Sequence, residues 1–275
     1  MPDRLVDIPA LLRHITTVLH ERNHEQRLYP GGVSGSAASS AVMFLLGRQC
    51  GGGRPASEPC VILNKRSQKM KQPGDLCFPG GRIAPRLDPV LAKVLTLPLF
   101  PLYHWAKWPV WRDKRPRQAG RLTLLLATGL REGLEEMRLN PMGVEFLGPL
   151  PSQELVMFRR VIYPMAGWVK RQRHFFPNWE VEKIVHVPLR SLLDPGSYAC
   201  YRLHFDTAGK GENGKPNDYP CFVYQDQGER EVLWGATYRI VMVFLDLVFG
   251  FRPPDMRGLP VVSGSLGADY YNGAG

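Results

Sequence analysis

The stretch from Leu130 to Leu139, LREGLEEMRL, limits the fold more than any other. Each helical residue turns the chain by about 100°, so with Glu132 at zero, Glu136 lies at about 40° and Glu135 at about −60°. All three carboxylates therefore share one face of a helix. Leu126, Leu130, Leu134 and Met137 lie at about 120° to 200°, which predicts a buried stripe on the other side. The helix is expected over Leu122–Leu139, with Asn140-Pro141 as its stop. Like charges at i, i+4 cost about 0.2–0.5 kcal/mol, and anions near a helix C-terminus oppose the macrodipole. Arg131 is the obvious compensation within one turn. Such a face is either solvated or relieved by a divalent cation. Clustered carboxylates suit Mg2+ or Mn2+, hard ions that take oxygen ligands.

Around this helix the chain alternates apolar runs with turns. Ile8, Leu11, Leu12, Ile15, Val18 and Leu19 recur at helical spacing, so the N-terminus reads as an amphipathic helix and not as a signal peptide. A Gly/Ser-rich linker follows, giving a first unit over residues 1–40. AVMFLLG and CVILNKR read as buried strands, and LCFP as a short strand ending at Gly80-Gly81. Residues 88–121 read as irregular. VEFLGPL, VIYPMAGWV, EKIVHVPL, YACYRLHF and PCFVYQ read as strands, SLLD as a helical turn, and ATYRIVMVFLDLVFG as a buried helix. The pattern is α/β (α+β), with a main domain over 41–251 and a loose tail over 252–275.

Lysines and arginines exceed aspartates and glutamates by 10, which favours anionic partners without choosing among phosphorylated small molecules, nucleic acid and a membrane surface. The five cysteines are scattered, with no ligand spacing, so neither a disulfide framework nor a zinc site is expected. That usage and the lack of a long apolar run point to a reducing, cytoplasmic setting with no membrane span. The histidines show no ligand spacing, and no GxGxxG or GxxxxGK[ST] element is present.

Phe78-Pro79-Gly80-Gly81 followed by Arg131-Glu132-x-x-Glu135-Glu136 resembles the signature of the Nudix hydrolases, G-x5-E-x7-R-E-U-x-E-E-x-G-U. Upstream, ILNKRSQKMKQPGDLCFPGG is similar to the additional motif of that family's coenzyme A pyrophosphatase branch. The stretches EVEKIVHVPLRSLLDP and LWGATYRIVMVFLDLV are similar to the branch's closing strand and helix. The resemblance implies an α/β/α sandwich around a mixed sheet, with the N-terminal helix as an addition. It implies Mg2+ or Mn2+ held by Glu132, Glu135 and Glu136 with a carbonyl at Gly81 or Arg82. Arg131 would orient the carboxylates, so that Arg131, Glu132 and Glu135 serve catalysis. Arg66, Ser67 and Lys71 would bind the substrate's phosphates. The implied reaction converts coenzyme A or acyl-CoA to adenosine 3′,5′-bisphosphate and (acyl-)4′-phosphopantetheine. Another nucleoside diphosphate derivative is the alternative substrate, and a non-catalytic binding domain the alternative role. The general base varies within the family; Glu132, Glu180 and Glu182 are the candidates.

The match has three departures. Between Gly81 and Arg131 stand 49 residues, 36 more than the signature allows. Leu87 occupies the place of the first glutamate, with Asp88 beside it as a substitute, and Arg138 occupies the place of the glycine. The excess is an insertion over about 89–122 in which Trp105, Trp108 and Trp111 recur every third residue, followed by Arg112, Lys114, Arg115, Arg117 and Arg121. Pro98, Pro101, Pro109 and Pro116 are expected to break any long helix there. The insertion reads as an excursion packed on the domain or at a homodimer interface. Alternatively it is a lid for an acyl chain or an anionic membrane. Nucleic acid is not an expected partner, although tryptophan stacking on bases is a third reading of the segment.

Overall fold

The computed structural model describes residues 5–25, 39–48, 58–155, 160–205, 217–266 and 270. The linker before residue 39 and most of the Gly-rich turn at 49–57 lie outside them. Strands β1 (Ser39–Arg48) and β2 (Pro59–Arg66) are almost continuously apolar because they are covered on both faces. Successive side chains of a strand point to opposite faces. Met43 and Leu45 thus enter one core, and Phe44 and Leu46 the other.

The main sheet places β1 at its centre. On one side lie β2 and β3 (Leu76–Cys77); on the other, β7 (Arg160–Val169) and β5 (Val144–Pro149). Strand β4 (Gly80–Arg82) joins β1, β6 (Gln153–Leu155) joins β7, and β8 (Val181–Pro188) joins β2. β1 and β7 run parallel while the other pairs are antiparallel, so the sheet is mixed. One layer of helices comprises α2 (Asp88–Val94), α3 (Trp108–Lys114) and α4 (Pro116–Met137); α1 (Ile8–Glu25) and α6 (Gly235–Phe249) enter the other core. The result is an α/β/α sandwich. After α5 (Leu189–Leu192), a second sheet runs β11 (Glu229–Leu233), β10 (Asn217–Asp226), β9 (Tyr198–Phe205), β12 (Val261–Leu266). No helix among the described residues is long and apolar enough to cross a membrane.

Four expectations change. The segment read as irregular is helical in part: Pro89, Pro109 and Pro116 stand in the first turns of α2, α3 and α4, where a missing N–H costs nothing, while α2 and α3 stay at seven residues each, as the prolines lead one to expect. Trp105, Trp108 and Trp111 are buried, with Trp105 Nε1 donating to Leu147 O at 3.2 Å. Those rings belong to the core and are not available to nucleic-acid bases or as the apolar face of a lid. The tail is not loose throughout, because β12 pairs in parallel with β9, and Tyr270 is buried. Finally, Leu134 is 41% exposed while Glu136 is buried. The buried residues of α4 include Leu122, Gly129, Gly133 and Glu136, so the covered arc centres near about 100° rather than opposite Glu132. Glu136, at about 40°, falls inside it, whereas Leu134 stands in the last turn of α4 and is left exposed.

Arg138 closes α4 in the left-handed conformation, φ 56°. Its N–H reaches Leu134 O at 3.1 Å, the bond of the αL cap, and that of Leu139 reaches Gly133 O at 3.1 Å. A side chain in that conformation costs about 1–2 kcal/mol that glycine avoids. Part of the gain is lost to the greater freedom of glycine in the unfolded chain. Arg138→Gly is expected to stabilise the protein by about 0.5–1 kcal/mol, a rise in Tm of about 2–3 °C in thermal denaturation.

Candidate active site

The site is built where α4 crosses the strand that carries Gly80 and Gly81. The Arg131 guanidinium lies at its centre. Its Nε donates to Asp88 Oδ1 at 2.7 Å and its Nη1 to Glu135 Oε2 at 3.0 Å. Its Nη2 faces Glu132 Oε1 at 2.9 Å, Arg82 O at 3.0 Å and Asp88 Oδ2 at 3.4 Å. Asp88, the first residue of α2, is fully buried and also accepts from Thr128 Oγ1 and Ala84 N, each at 2.7 Å. It thus supplies a carboxylate to Arg131 from one position beyond the signature's missing glutamate.

The three helix glutamates are not equivalent. The Glu135 side chain is 52% exposed and turned to Arg131, whereas that of Glu132 is 18% exposed. Glu136 is deepest, its Oε2 accepting from Asn64 Nδ2 at 2.7 Å and its Oε1 from Gly80 N at 3.3 Å. Burial raises its pKa to about 8, with the Glu132 and Glu180 charges adding to the rise and the two donors opposing it. Burial also raises Glu132, against the pull of Arg131. Gly81 is required by this crowding: a Cβ there would meet Glu132 Oε1 and Cδ of the carboxyl well inside van der Waals contact.

The candidate phosphate-binding residues share the turn between β2 and β3. Arg66 Nε donates to Lys71 O at 2.7 Å, and Lys69 N to Ser67 Oγ at 3.3 Å. Ser67 N donates to Glu180 O at 2.8 Å, which ties this turn to the start of β8. Asp75 anchors its far end, accepting from Trp234 Nε1 at 3.0 Å and Tyr270 Oη at 2.6 Å. Of the two strand glutamates, Glu182 is engaged by Lys65 at 3.3 Å and Gln68 at 3.3 Å, while Glu180 is the one whose charge reaches Glu136.

Sequence reasoning missed Asn64, Asp75 and Tyr270. Asn64 lies in an apolar strand, and its polarity was the available signal; the other two meet only through tertiary contact. Among the described residues, no three His, Cys, Asp or Glu side chains are arranged to hold a metal ion. Glu132 and Glu136 nonetheless fit a hard divalent cation in kind. They are paired carboxylates whose burial and mutual repulsion disfavour ionisation, a penalty that a cation removes.

Two outcomes follow from this geometry. Asp88→Ala leaves the buried guanidinium short of its best partner, and breaking such a pair costs about 3 kcal/mol or more, hence a Tm lower by about 10 °C. Glu136 binds its proton more tightly in the folded chain than in the unfolded one. Below its ordinary pKa of 4.5 both states are protonated, and between pH 4.5 and about 8 ionisation increasingly penalises the folded state. Metal-free protein is therefore expected to lose thermal stability across that window, and Glu136→Gln to remove that part of the loss. Asn64 Oδ1 has no partner, so its amide can turn to receive the glutamine's Nε2. An unchanged pH slope in Glu136→Gln would refute the assignment.

No family model matches the chain. It is similar to an uncharacterized Nudix hydrolase, NudL, of Pectobacterium atrosepticum, with 25% identity over 186 residues that cover 66% of this chain and 72% of that protein. It is also similar to NudL of Klebsiella pneumoniae, with 29% identity over 130 residues covering 47% of this chain and 61% of that protein, under two thirds of its length. Among solved structures it is similar to a MutT/nudix family protein from Enterococcus faecalis, with 10% identity, 86% of this chain and 71% of that chain covered, and a TM-score of 0.38. That last likeness is too slight to carry an argument. The curated relatives are Nudix hydrolases, and the Arg131-Glu132-x-x-Glu135-Glu136 helix set against Gly80-Gly81 resembles the signature of that family.

Proposed function

We propose that the protein hydrolyses the diphosphate of coenzyme A or acyl-CoA, releasing adenosine 3′,5′-bisphosphate and (acyl-)4′-phosphopantetheine. The observation that supports this reading is the hydrogen bond from Ser67 N to Glu180 O, which ties the Arg66–Lys71 turn to the residue whose charge acts on Glu136. That turn is the part of the chain that resembles the coenzyme A branch. Nudix hydrolases use divalent metal ions, and Glu132 and Glu136, with Glu135 and the Gly81 carbonyl as further donors, are the residues proposed to hold Mg2+ or Mn2+. When bound, such an ion supplies stabilisation of the negative charge that builds on the diphosphate oxygens.

The chain's own groups do the rest. Asn64 and Gly80 aim the Glu136 carboxylate, and Arg131 holds Glu132 and Glu135 in place. Arg66 and Lys71 carry positive charge to the diphosphate, with the Ser67 hydroxyl beside them. Glu180 is the stronger candidate of the strand pair to accept the attacking water's proton, because Glu182 is committed to Lys65; Glu132 is the helix candidate. The open groove of about 480 Å3 between α2, α3 and α4, lined by Pro89, Ala92, Ala119 and Leu124 with Lys93 and Arg112, is the candidate place for an acyl chain.

A second reading keeps the chemistry and changes the substrate to another nucleoside diphosphate derivative. The spacing before Gly74, one residue shorter than in the coenzyme A motif, favours it. Product analysis with Mg2+ or Mn2+ and a panel of coenzyme A, acyl-CoAs, ADP-ribose and dinucleotides separates the two. The expected outcome is adenosine 3′,5′-bisphosphate from the coenzyme A compounds. Glu136→Gln should lower turnover about 100-fold or more, and Arg66→Ala should raise KM about tenfold. Turnover of the other compounds alone transfers the proposal to the second reading.

A further inference from the structure

Phe176 and Trp179 are 66% and 64% exposed, although the loop that bears them is firmly held. Phe176 N donates to Met137 O at 3.1 Å and Asn178 N to Glu136 O at 2.8 Å, at the end of α4. Glu180 N donates to Asn178 Oδ1 at 2.9 Å, and Glu180 O receives Ser67 N at 2.8 Å. Phe175 is partly buried against the core with its ring 6.1 Å from that of His186. The loop is thus fastened to the carboxylate helix at one end and to the Arg66–Lys71 turn at the other, and still leaves two rings uncovered. Exposed aromatic area on an ordered segment forgoes the gain of burial unless a ligand covers it. Arg171 and Arg173, just upstream in the chain, are also exposed, so the same segment carries positive charge.

Aromatic faces beside cations match one chemistry well: a flat heteroaromatic base carried on phosphates. We propose that Phe176 and Trp179 form the platform on which the nucleobase of the substrate stacks, with Arg171 and Arg173 supplying charge for a phosphate on its ribose. This deepens the proposed function, since it takes the substrate to be a nucleotide derivative, but it depends on neither turnover nor metal.

Trp179 is the exposed one among the six tryptophans, so its emission reports directly on the platform. Full-length metal-free protein would be titrated with ADP, adenosine 3′,5′-bisphosphate and, as a probe without a base, ribose 5-phosphate. Both nucleotides are expected to quench the emission and ribose 5-phosphate to leave it unchanged, with the quench lost in Trp179→Phe. By calorimetry, Trp179→Ala and Phe176→Ala are each expected to weaken nucleotide binding about tenfold, while Trp179→Phe, which keeps a ring, binds within about threefold of wild type. Equal quenching by ribose 5-phosphate, or wild-type affinity in a folded Trp179→Ala, overturns the platform. So does a wild-type dimer that Trp179→Ala converts to monomer at unchanged affinity, which would assign the rings to a contact between copies. Failure of hydrolysis with base binding intact would count against the proposed reaction alone.

Discussion

The Arg131 guanidinium is the interaction on which the rest of the structure turns. It draws Asp88, Glu132 and Glu135 together and fixes the backbone after β4 through Arg82 O. Arginine suits this task because its donors form a rigid planar fork and its charge is never lost. Burial alone would lower its pKa, but Asp88 and Glu132 outweigh that and the net shift is upward. One positive charge among four carboxylates cannot neutralise them all. The deficit falls on Glu132 and Glu136, where burial adds to it. The contact that orders the site therefore also leaves it short of positive charge, and this is the physical case for a cation there.

The same contact explains how a pattern that resembles the Nudix signature accommodates an insertion of 36 residues. Loop closure entropy rises only slowly with length, so what matters is where the two ends land. Asp88 at the entrance of the insertion bonds to Thr128 and Arg131 beyond its exit, which closes it at the base. Inside, Trp105 and Trp111 approach to 5.7 Å and Trp105 meets Phe146 at 4.9 Å, so the excursion shares the domain's core instead of standing apart from it. Its length is stabilised by the apolar surface it buries.

Apolar patterning carried the reading of the sequence: α1 and α4 show the helical repeat, whereas β1, β2, β7 and α6 are legible as apolar runs bounded by turns. The facing of α4 did not follow as well. Its covered arc depends on how closely it can approach β1, and Gly129, whose Cβ would crowd Met43 Sδ at 2.9 Å, lets that side approach. Charge on Glu136 suggested exposure, but geometry buries it. β11 and β12 stand at the ends of the second sheet, with patterns too short to register alone. Asp88 could be read as a neighbour of the missing glutamate; that it satisfies Arg131 could not.

Several departures from local rules meet at one end of α4, although others, such as the positive φ of Gln227 and the exposed Leu99, lie elsewhere. Asn64 is a buried amide in an apolar strand with one oxygen unpartnered. Glu136 is a buried carboxylate, Arg138 holds a left-handed backbone without glycine, and Phe176 and Trp179 leave apolar area in water. Each departure costs stability, and no shared local cause links an amide, an acid, a strained cap and two exposed rings. What they share is place. Asn64 bonds Glu136, Arg138 ends the helix that carries it, and the ring-bearing loop is hydrogen-bonded to the carbonyls of Glu136 and Met137. Such costs persist where the surroundings over-determine them and something other than stability selects for them. Asn64, Glu136, Arg138 and the ring-bearing loop thus gather their costs at one end of α4, beside the carboxylates proposed to act.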